Sequence, residues 1–225
     1  MNRFRDIHKG QRAFILCNGL SLNDVDVTKL NGEIVFLLNR GYILENRGLD
    51  ISNAYLVLID ELIIDQFKSE IEAVKVKAKF CNRIKNGIRM RWTGNVPKFT
   101  KDTTKPMWQG HSVTNVALQL AYFMGCTQVY IIGMDHYISY ENHKKDGKNW
   151  VVGQEDVNHF DPNYLPTGYQ FHGQSLTMVE KGYALASKAY WESGRELYNA
   201  SSFTALPKEV IPRVDFEEII GERKV

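Results

Sequence analysis

Four short apolar runs, at residues 13–17, 34–38, 55–59 and 129–132, constrain this chain more than any other feature. Each is four or five residues long, apolar throughout, and flanked by turn or helix signals. Runs of that length suit strands rather than helices, and a strand apolar at every position has to be covered on both faces. Central strands of a parallel sheet meet that condition. Helical patterns lie between and after them: 61–74, with apolar Leu62, Ile63, Phe67, Ile71 and Val74, then 113–124 and 175–193. Weaker strand signals occur at 76–80 and 196–198. This alternation predicts an α/β fold, a Rossmann-like doubly wound, mainly parallel sheet with helices on both faces. With 225 residues and 44% hydrophobic content the chain can bury one full core, so a single nucleotide-binding domain over 1–225 is expected. Two segments interrupt the alternation. Residues 82–110 and 137–170 are rich in Gly, Asn, Asp, Lys, Tyr and Trp, show no sustained periodicity, and read as lid-like loops. The second carries Tyr137, Tyr140, His143, Trp150, His159, Asp161, Tyr164 and Tyr169. Rings with polar tips suit a sugar or a base, although they equally serve to pin a long loop to the core.

In a doubly wound sheet, ligands lie beyond the carboxyl ends of the strands. Those ends are polar here: Asn18-Gly19, Asn39-Arg40, Asp60-Glu61 and Gly133-Met134-Asp135. After the first strand, Gly19 permits close backbone approach, Ser21 and Asp24 have capping-box spacing, and the amides from Asn18 to Ser21 are candidate phosphate donors. Any strand-to-helix turn in this fold class uses similar residues for structural reasons alone. Lys and Arg total 28 against 26 acids, and the absence of a long basic run argues against a nucleic-acid partner. The basic stretch from Lys75 to Arg91 reads as a solvated face, with an anionic acceptor or membrane surface as the alternative. Three distant cysteines, Cys17, Cys81 and Cys126, support neither a disulfide framework nor a zinc site and suit a reducing cytoplasm. No apolar run is long enough for a transmembrane segment, so membrane contact is expected to be peripheral at most.

The combination of Phe14-Ile-Leu-Cys-Asn-Gly-Leu-Ser-Leu22, Phe36-Leu-Leu-Asn-Arg40, Ser112-Val-Thr-Asn-Val-Ala-Leu-Gln-Leu-Ala-Tyr-Phe-Met-Gly125 and Val129-Tyr-Ile-Ile-Gly-Met-Asp-His136 resembles the motility-accessory-factor and MptE-like superfamily. That superfamily includes archaeal 6-hydroxymethylpterin diphosphokinases and bacterial proteins associated with surface polysaccharide. Asp161-Pro-Asn-Tyr164 and Pro212-Arg-Val-Asp-Phe216 support the likeness, which runs from about Gly10 to Phe216. The order of elements is also similar to the bacterial sialyltransferases of glycosyltransferase family 42. That second resemblance implies Asn18 and Gly19 against nucleotide phosphate and ribose, with Leu20 and Ser21 completing the turn and Asn39 and Arg40 alongside. It sets Asp60 where the family has an asparagine near the nucleotide. Ser112, Val113 and Thr114 fall at the helix start that carries a Thr-Ser-Gly turn in the family, and Tyr137 at a tyrosine that steadies the leaving phosphate. His172, in Phe171-His-Gly-Gln-Ser175, matches the general base. The first turn departs from the Gly-Asn-Gly-Pro-Ser-Leu common among relatives, with Cys17 and Leu20 at its first and fourth places.

Sugar transfer from a nucleotide donor needs a base for the acceptor hydroxyl and donors for the developing phosphate charge. His172 suits the role of base, since it precedes a predicted helix whose positive end would keep the ring neutral, though it could instead cap that helix. Such a reaction needs no metal cofactor. Asp60 and Asp135 leave room for Mg²⁺-dependent diphosphokinase chemistry, while Asp60 could equally cap a helix and Asp135 fix a turn. Asp135, His136, His159, Asp161 and His172 have the residue types of a transition-metal site but no enforcing spacing. Ser21 lacks the elbow of a serine hydrolase. The leading expectation is a nucleotide-sugar-dependent, sialyltransferase-like enzyme of surface polysaccharide or glycan biosynthesis. A diphosphokinase and a non-catalytic nucleotide or sugar binding protein are the alternatives. A nucleotide or nucleotide-sugar of CMP type is favoured as ligand, with a glycan or small-molecule acceptor. The location is expected to be cytoplasmic or peripheral at the inner membrane, and a homo-oligomer stays open.

Overall fold

The computed structural model describes residues 1–94 and 97–221. Six parallel strands form the central sheet: β1 (Arg12–Leu16), β2 (Ile34–Leu38), β3 (Tyr55–Val57), β4 (Ala78–Phe80), β5 (Gln128–Ile132) and β9 (Glu196–Asn199), in the order β4-β3-β2-β1-β5-β9. Winding proceeds outward from β1 through β2, β3 and β4, then restarts on the other side of β1 with β5 and β9. The order therefore reverses between β1 and β5, whose register pairs Leu16 with Ile132. Connections leave that point in opposite directions and open a crevice beyond the two strand ends.

Side-chain alternation along the strands fills two apolar layers. Phe14 and Leu16 of β1 face one core with Leu37, Leu56 and Ile132, whereas Ala13, Ile15 and Cys17 face the other with Phe36, Val57 and Ile131. The second layer is covered by α3 (Val113–Phe123) and α4 (Leu176–Trp191). The first is covered by α1 (Glu61–Gln66), α2 (Lys68–Ala73), α5 (Phe216–Gly221) and two stretches of 3-10 helix, Leu20–Asp24 and Asn39–Arg47. Residues 61–74, expected as one helix, divide at Phe67, where φ is −118° and ψ 23°. Its ring is sandwiched between Tyr169, stacked at 4.9 Å, and the Arg40 guanidinium at 3.8 Å, a packing demand that overrides helix continuity.

Residues 137–170 are more ordered than the sequence suggested. They contain β6 (His143–Asp146) and β7 (Asn149–Val152), which join β8 (Gln170–His172) in a three-stranded antiparallel sheet. The β6–β7 register places Asp146 opposite Asn149, leaving Gly147-Lys148 as a two-residue turn with Gly147 at φ 58°. The rest of the segment is fastened to the main sheet: Phe160 N donates to Asn18 O at 2.9 Å, and the Tyr164 hydroxyl lies 2.9 Å from Asn18 Nδ2. The described part of 82–110 holds isolated bridges, Phe80 with Ile88 and Trp92 with Met107, and buries Met90, Met107 and Trp108.

Candidate functional site

A cleft of about 490 Å³ lies at the strand-order reversal. Its floor is Cys17, Asn18 and Gly19 after β1, Asn39 after β2, Asp60 after β3, and Gly133 to Tyr137 after β5. The start of α3, with Ser112 to Thr114, closes one side, and residues 156–159 with His172 close the other. Of the residues singled out in the sequence, Asn18, Gly19, Asn39, Asp60, Ser112, Val113, Thr114, Asp135, Tyr137 and His172 line it, while Leu20, Ser21 and Arg40 do not.

Arg40 is turned inward. Its guanidinium pairs with Glu70 at 2.9 Å and donates to the carbonyls of Asn163 and Tyr164, so it clamps the loop over the sheet instead of meeting a ligand. The first turn is also committed to the protein. Gly19 N donates to Gly133 O at 2.9 Å. The amide and hydroxyl of Ser21 both donate to the Asp135 carboxylate, which also accepts from the Leu20 amide. Ser21 is thus not the cap of the turn, a position taken by Gly19. A Cβ on Gly19 would lie 2.5 Å from Asp135 Cγ, so glycine is needed for the carboxylate to approach. Burial raises the Asp135 pKa, against the lowering effect of these hydrogen bonds. Of the amides expected to hold phosphate, those of Leu20 and Ser21 therefore hold a protein carboxylate and that of Gly19 a backbone carbonyl. At α3, likewise, Ser112 N donates to Gln109 O and Thr114 N to Ser112 Oγ, which is the helix cap.

His172 departs from the expected setting in an informative way. It ends β8 and does not cap the following helix, whose N-cap is Ser175. Its Nδ1 lies 3.1 Å from Asp60 Oδ1, an oxygen that also accepts from the amides of Leu62 and Ile63 as the cap of α1. Gln66 makes this possible. Its side-chain amide donates to Gln170 O at 2.8 Å and accepts from Gln170 N at 2.7 Å, docking β8 along α1. A carboxylate accepting from Nδ1 fixes the tautomer, leaves Nε2 as the basic atom, and stabilises an imidazolium once it forms. Asp60, not a helix N-terminus, is the group that faces His172 Nδ1.

Other polar groups named from the sequence converge here with partners that it did not name. Asn18 Oδ1 and Asn39 Oδ1 are buried and have no hydrogen-bond partner among the described residues. Asn39 also has φ 49°, an uncommon conformation for a side chain other than glycine. Both residues line the cleft, and each leaves one buried side-chain acceptor unpaired among the described residues. Asn115 Oδ1 and Asn199 Nδ2 are likewise unpaired, but neither lines the cleft. His136 lies 3.6 Å from Glu180, and burial lowers its pKa although Glu180 opposes the shift. His159 is bonded through Nδ1 to Asp156 at 2.7 Å. Tyr137 is 65% exposed at the cleft.

The residues weighed as a transition-metal site do not gather. Asp135 serves Ser21, His136 Glu180, His159 Asp156, His172 Asp60, and Asp161 accepts from the Asn163 amide. Among the described residues no group of three or more His, Cys, Asp or Glu side chains is arranged to hold a metal ion. Among them, too, no helix is long and apolar enough to cross a membrane.

No family model and no curated protein sequence matches the chain. Among solved structures, a MAf glycosyltransferase from Magnetospirillum magneticum is similar over 99% of this chain with a TM-score of 0.54 at 10% identity. The chain spans 38% of that protein's length. A sialyltransferase from Campylobacter jejuni, solved with the substrate analogue cytidine-5'-monophosphate, gives a TM-score of 0.42 and 11% identity over 90% of this chain and 84% of that one. The first similarity establishes a shared α/β fold with a glycosyltransferase.

Proposed function

We propose that this chain is a glycosyltransferase that moves a sugar from a nucleotide-activated donor to a hydroxyl acceptor in surface polysaccharide or related glycan assembly, with His172 as general base. The observation that carries the reading is the 3.1 Å contact between His172 Nδ1 and Asp60 Oδ1 at a cleft built on the strand-order reversal. In this reaction the acceptor oxygen bonds to the anomeric carbon and its proton passes to His172 Nε2. The bond from that carbon to the phosphate oxygen breaks, and the oxygen leaves with the electron pair. Asp60 offsets the charge that His172 acquires. The free side-chain carbonyls of Asn18 and Asn39 accept hydrogen bonds from the sugar or nucleoside. CMP-type donors are the first to test, because the strand-end pattern resembles the family 42 sialyltransferases.

The diphosphokinase alternative needs Mg²⁺ on Asp60 or Asp135. Asp135 does not fit that role, since both its oxygens accept from Ser21, and at Asp60 one oxygen, Oδ1, is already shared by three donors. We therefore assign no step to a protein-held metal. His172→Ala is expected to lower sugar transfer by about 10²–10⁴-fold while nucleotide affinity changes by less than about threefold. Transfer within about tenfold of wild type would overturn the assignment of the base. Nucleotide binding without turnover for any donor would make the protein a binding module.

A further inference from the structure

We propose that His159 is a second catalytic residue of the cleft, the cationic group that holds the phosphate of the bound nucleotide and meets its growing charge as the sugar leaves. This rests on the transferase reading above. An anionic ligand needs donors, and the cleft offers few. Among the described residues no lysine or arginine lines it, and the amides of Gly19, Leu20, Ser21, Ser112 and Thr114 are already bonded within the protein. Four of the chain's six histidines do line it: His111, His136, His159 and His172. His136 is spent on Glu180, with its side chain 6% exposed. His172 is assigned to the acceptor hydroxyl. His111 is exposed on the connection into α3 with no group fixing its ring.

His159 is held from two directions. Its Nδ1 donates to Asp156, whose side chain is 1% exposed and whose other oxygen accepts from the Asn158 amide at 3.0 Å. Its ring stacks on the buried Tyr164 with centroids 3.9 Å apart and planes 15° from parallel. The next residue, Phe160, donates its amide to Asn18 O and so ties the ring's position to the end of β1. Nε2 has no hydrogen-bond partner among the described residues, and the side chain is 24% exposed on the cleft wall. A buried carboxylate without a donor is costly, so Asp156 both fixes the ring and backs a proton on each nitrogen when a phosphate oxygen accepts from Nε2. Of the three histidine–carboxylate pairs at the cleft, His172–Asp60 and His159–Asp156 thus take opposite roles. During transfer, His172 Nε2 takes the acceptor's proton. The Nε2–H of His159 is donated to the departing phosphate oxygen, which holds the electron pair of the broken bond.

The test is binding of CMP, UMP, GMP and AMP, each beside its nucleoside, to the wild-type protein, His159→Asn and His172→Asn by calorimetry. Asparagine at 159 retains a donor for Asp156 but has nothing at the Nε2 position. The wild type is expected to bind its preferred nucleotide about tenfold or more tightly than the nucleoside. His172→Asn keeps that advantage, and His159→Asn reduces it to less than about threefold. A His159→Asn protein that retains the full advantage overturns the inference and leaves the transferase reading standing. If no nucleotide binds the wild type, both fall together. Should His159→Asn fail to fold, the ¹⁵N shift of His159 Nε2 in the wild-type protein decides: it moves on addition of the preferred nucleotide and not of its nucleoside, or the inference is wrong.

Discussion

Asp60 and Asp135 follow strands β3 and β5 of the same sheet, with β2 and β1 between them, and their surroundings give them different roles. Asp135 is turned back into the first loop, where Ser21 and the Leu20 amide consume its lone pairs. Replacing it with asparagine would set an amide nitrogen against backbone donors. We expect Asp135→Asn to cost about 1–3 kcal/mol of stability, measured by urea unfolding, with no change in response to Mg²⁺. Unaltered stability would show that the turn does not depend on this carboxylate. Gly19→Ala should act through the same contact, because the added methyl would lie 2.5 Å from Asp135 Cγ, and should cost about 1–3 kcal/mol. From the sequence, Asp135 reads either as a reactive group or as the residue that fixes the turn after its strand, and the structure shows the second role. Its true partner is 114 residues away, and no local pattern reports such a contact. His172 and Asp60 pose the same problem across 112 residues. The histidine was identifiable by resemblance and the aspartate as a helix cap, but their pairing depends on β8 lying along α1.

That docking depends on secondary structure the sequence only partly reveals. Gln66 presents its side-chain amide to both backbone groups of Gln170 and so acts as a short substitute for a neighbouring strand. Gln66→Leu preserves helix propensity and volume while removing both bonds. If the proposed transfer holds, it is expected to lower kcat by roughly tenfold or more with little effect on KM for the nucleotide donor, since His172 loses its register while the strand ends at Asn18 and Asn39 are untouched. Equal losses in kcat and KM terms, or none, would show that β8 is held otherwise. The antiparallel sheet that carries β8 did have a local signal: Asp146-Gly147 followed by Trp150-Val-Val is hairpin chemistry. Sparse apolar periodicity on the β6 side, with its exposed Lys144 and Lys145, hid it. The division of α1 from α2 had no such signal. Phe67 fits a helical pattern, and only Arg40 and Tyr169, both distant in sequence, explain the break.

For the molecule as a whole, the four apolar runs defined the central strands β1, β2, β3 and β5, because strands buried on both faces need apolar residues at every position, while the half-buried edge strands β4 and β9 lie at the two weaker signals. Buried histidines add a pH dependence. His8, His136 and His143 all have pKa values lowered from 6.5, with burial the largest cause in each. The unfolded chain therefore takes up protons near pH 6.5 while the folded rings do so only at lower pH, so their contribution to stability is full above that value and lost on acidification. Tm should fall between pH 7.5 and 5, and a Tm that rises over that range would contradict the assigned burial. Function turns on the cleft at the strand-order reversal. Its most direct test is a thermal-shift panel of CMP, UDP, GDP, ADP and ATP, each with and without Mg²⁺, on the wild-type protein and on Asn39→Ala. A nucleotide at about a hundred times its Kd should raise Tm by about 5–10 °C without metal in the wild type and by much less in the variant. No shift with any nucleotide, or a shift confined to ATP with Mg²⁺, would contradict the account.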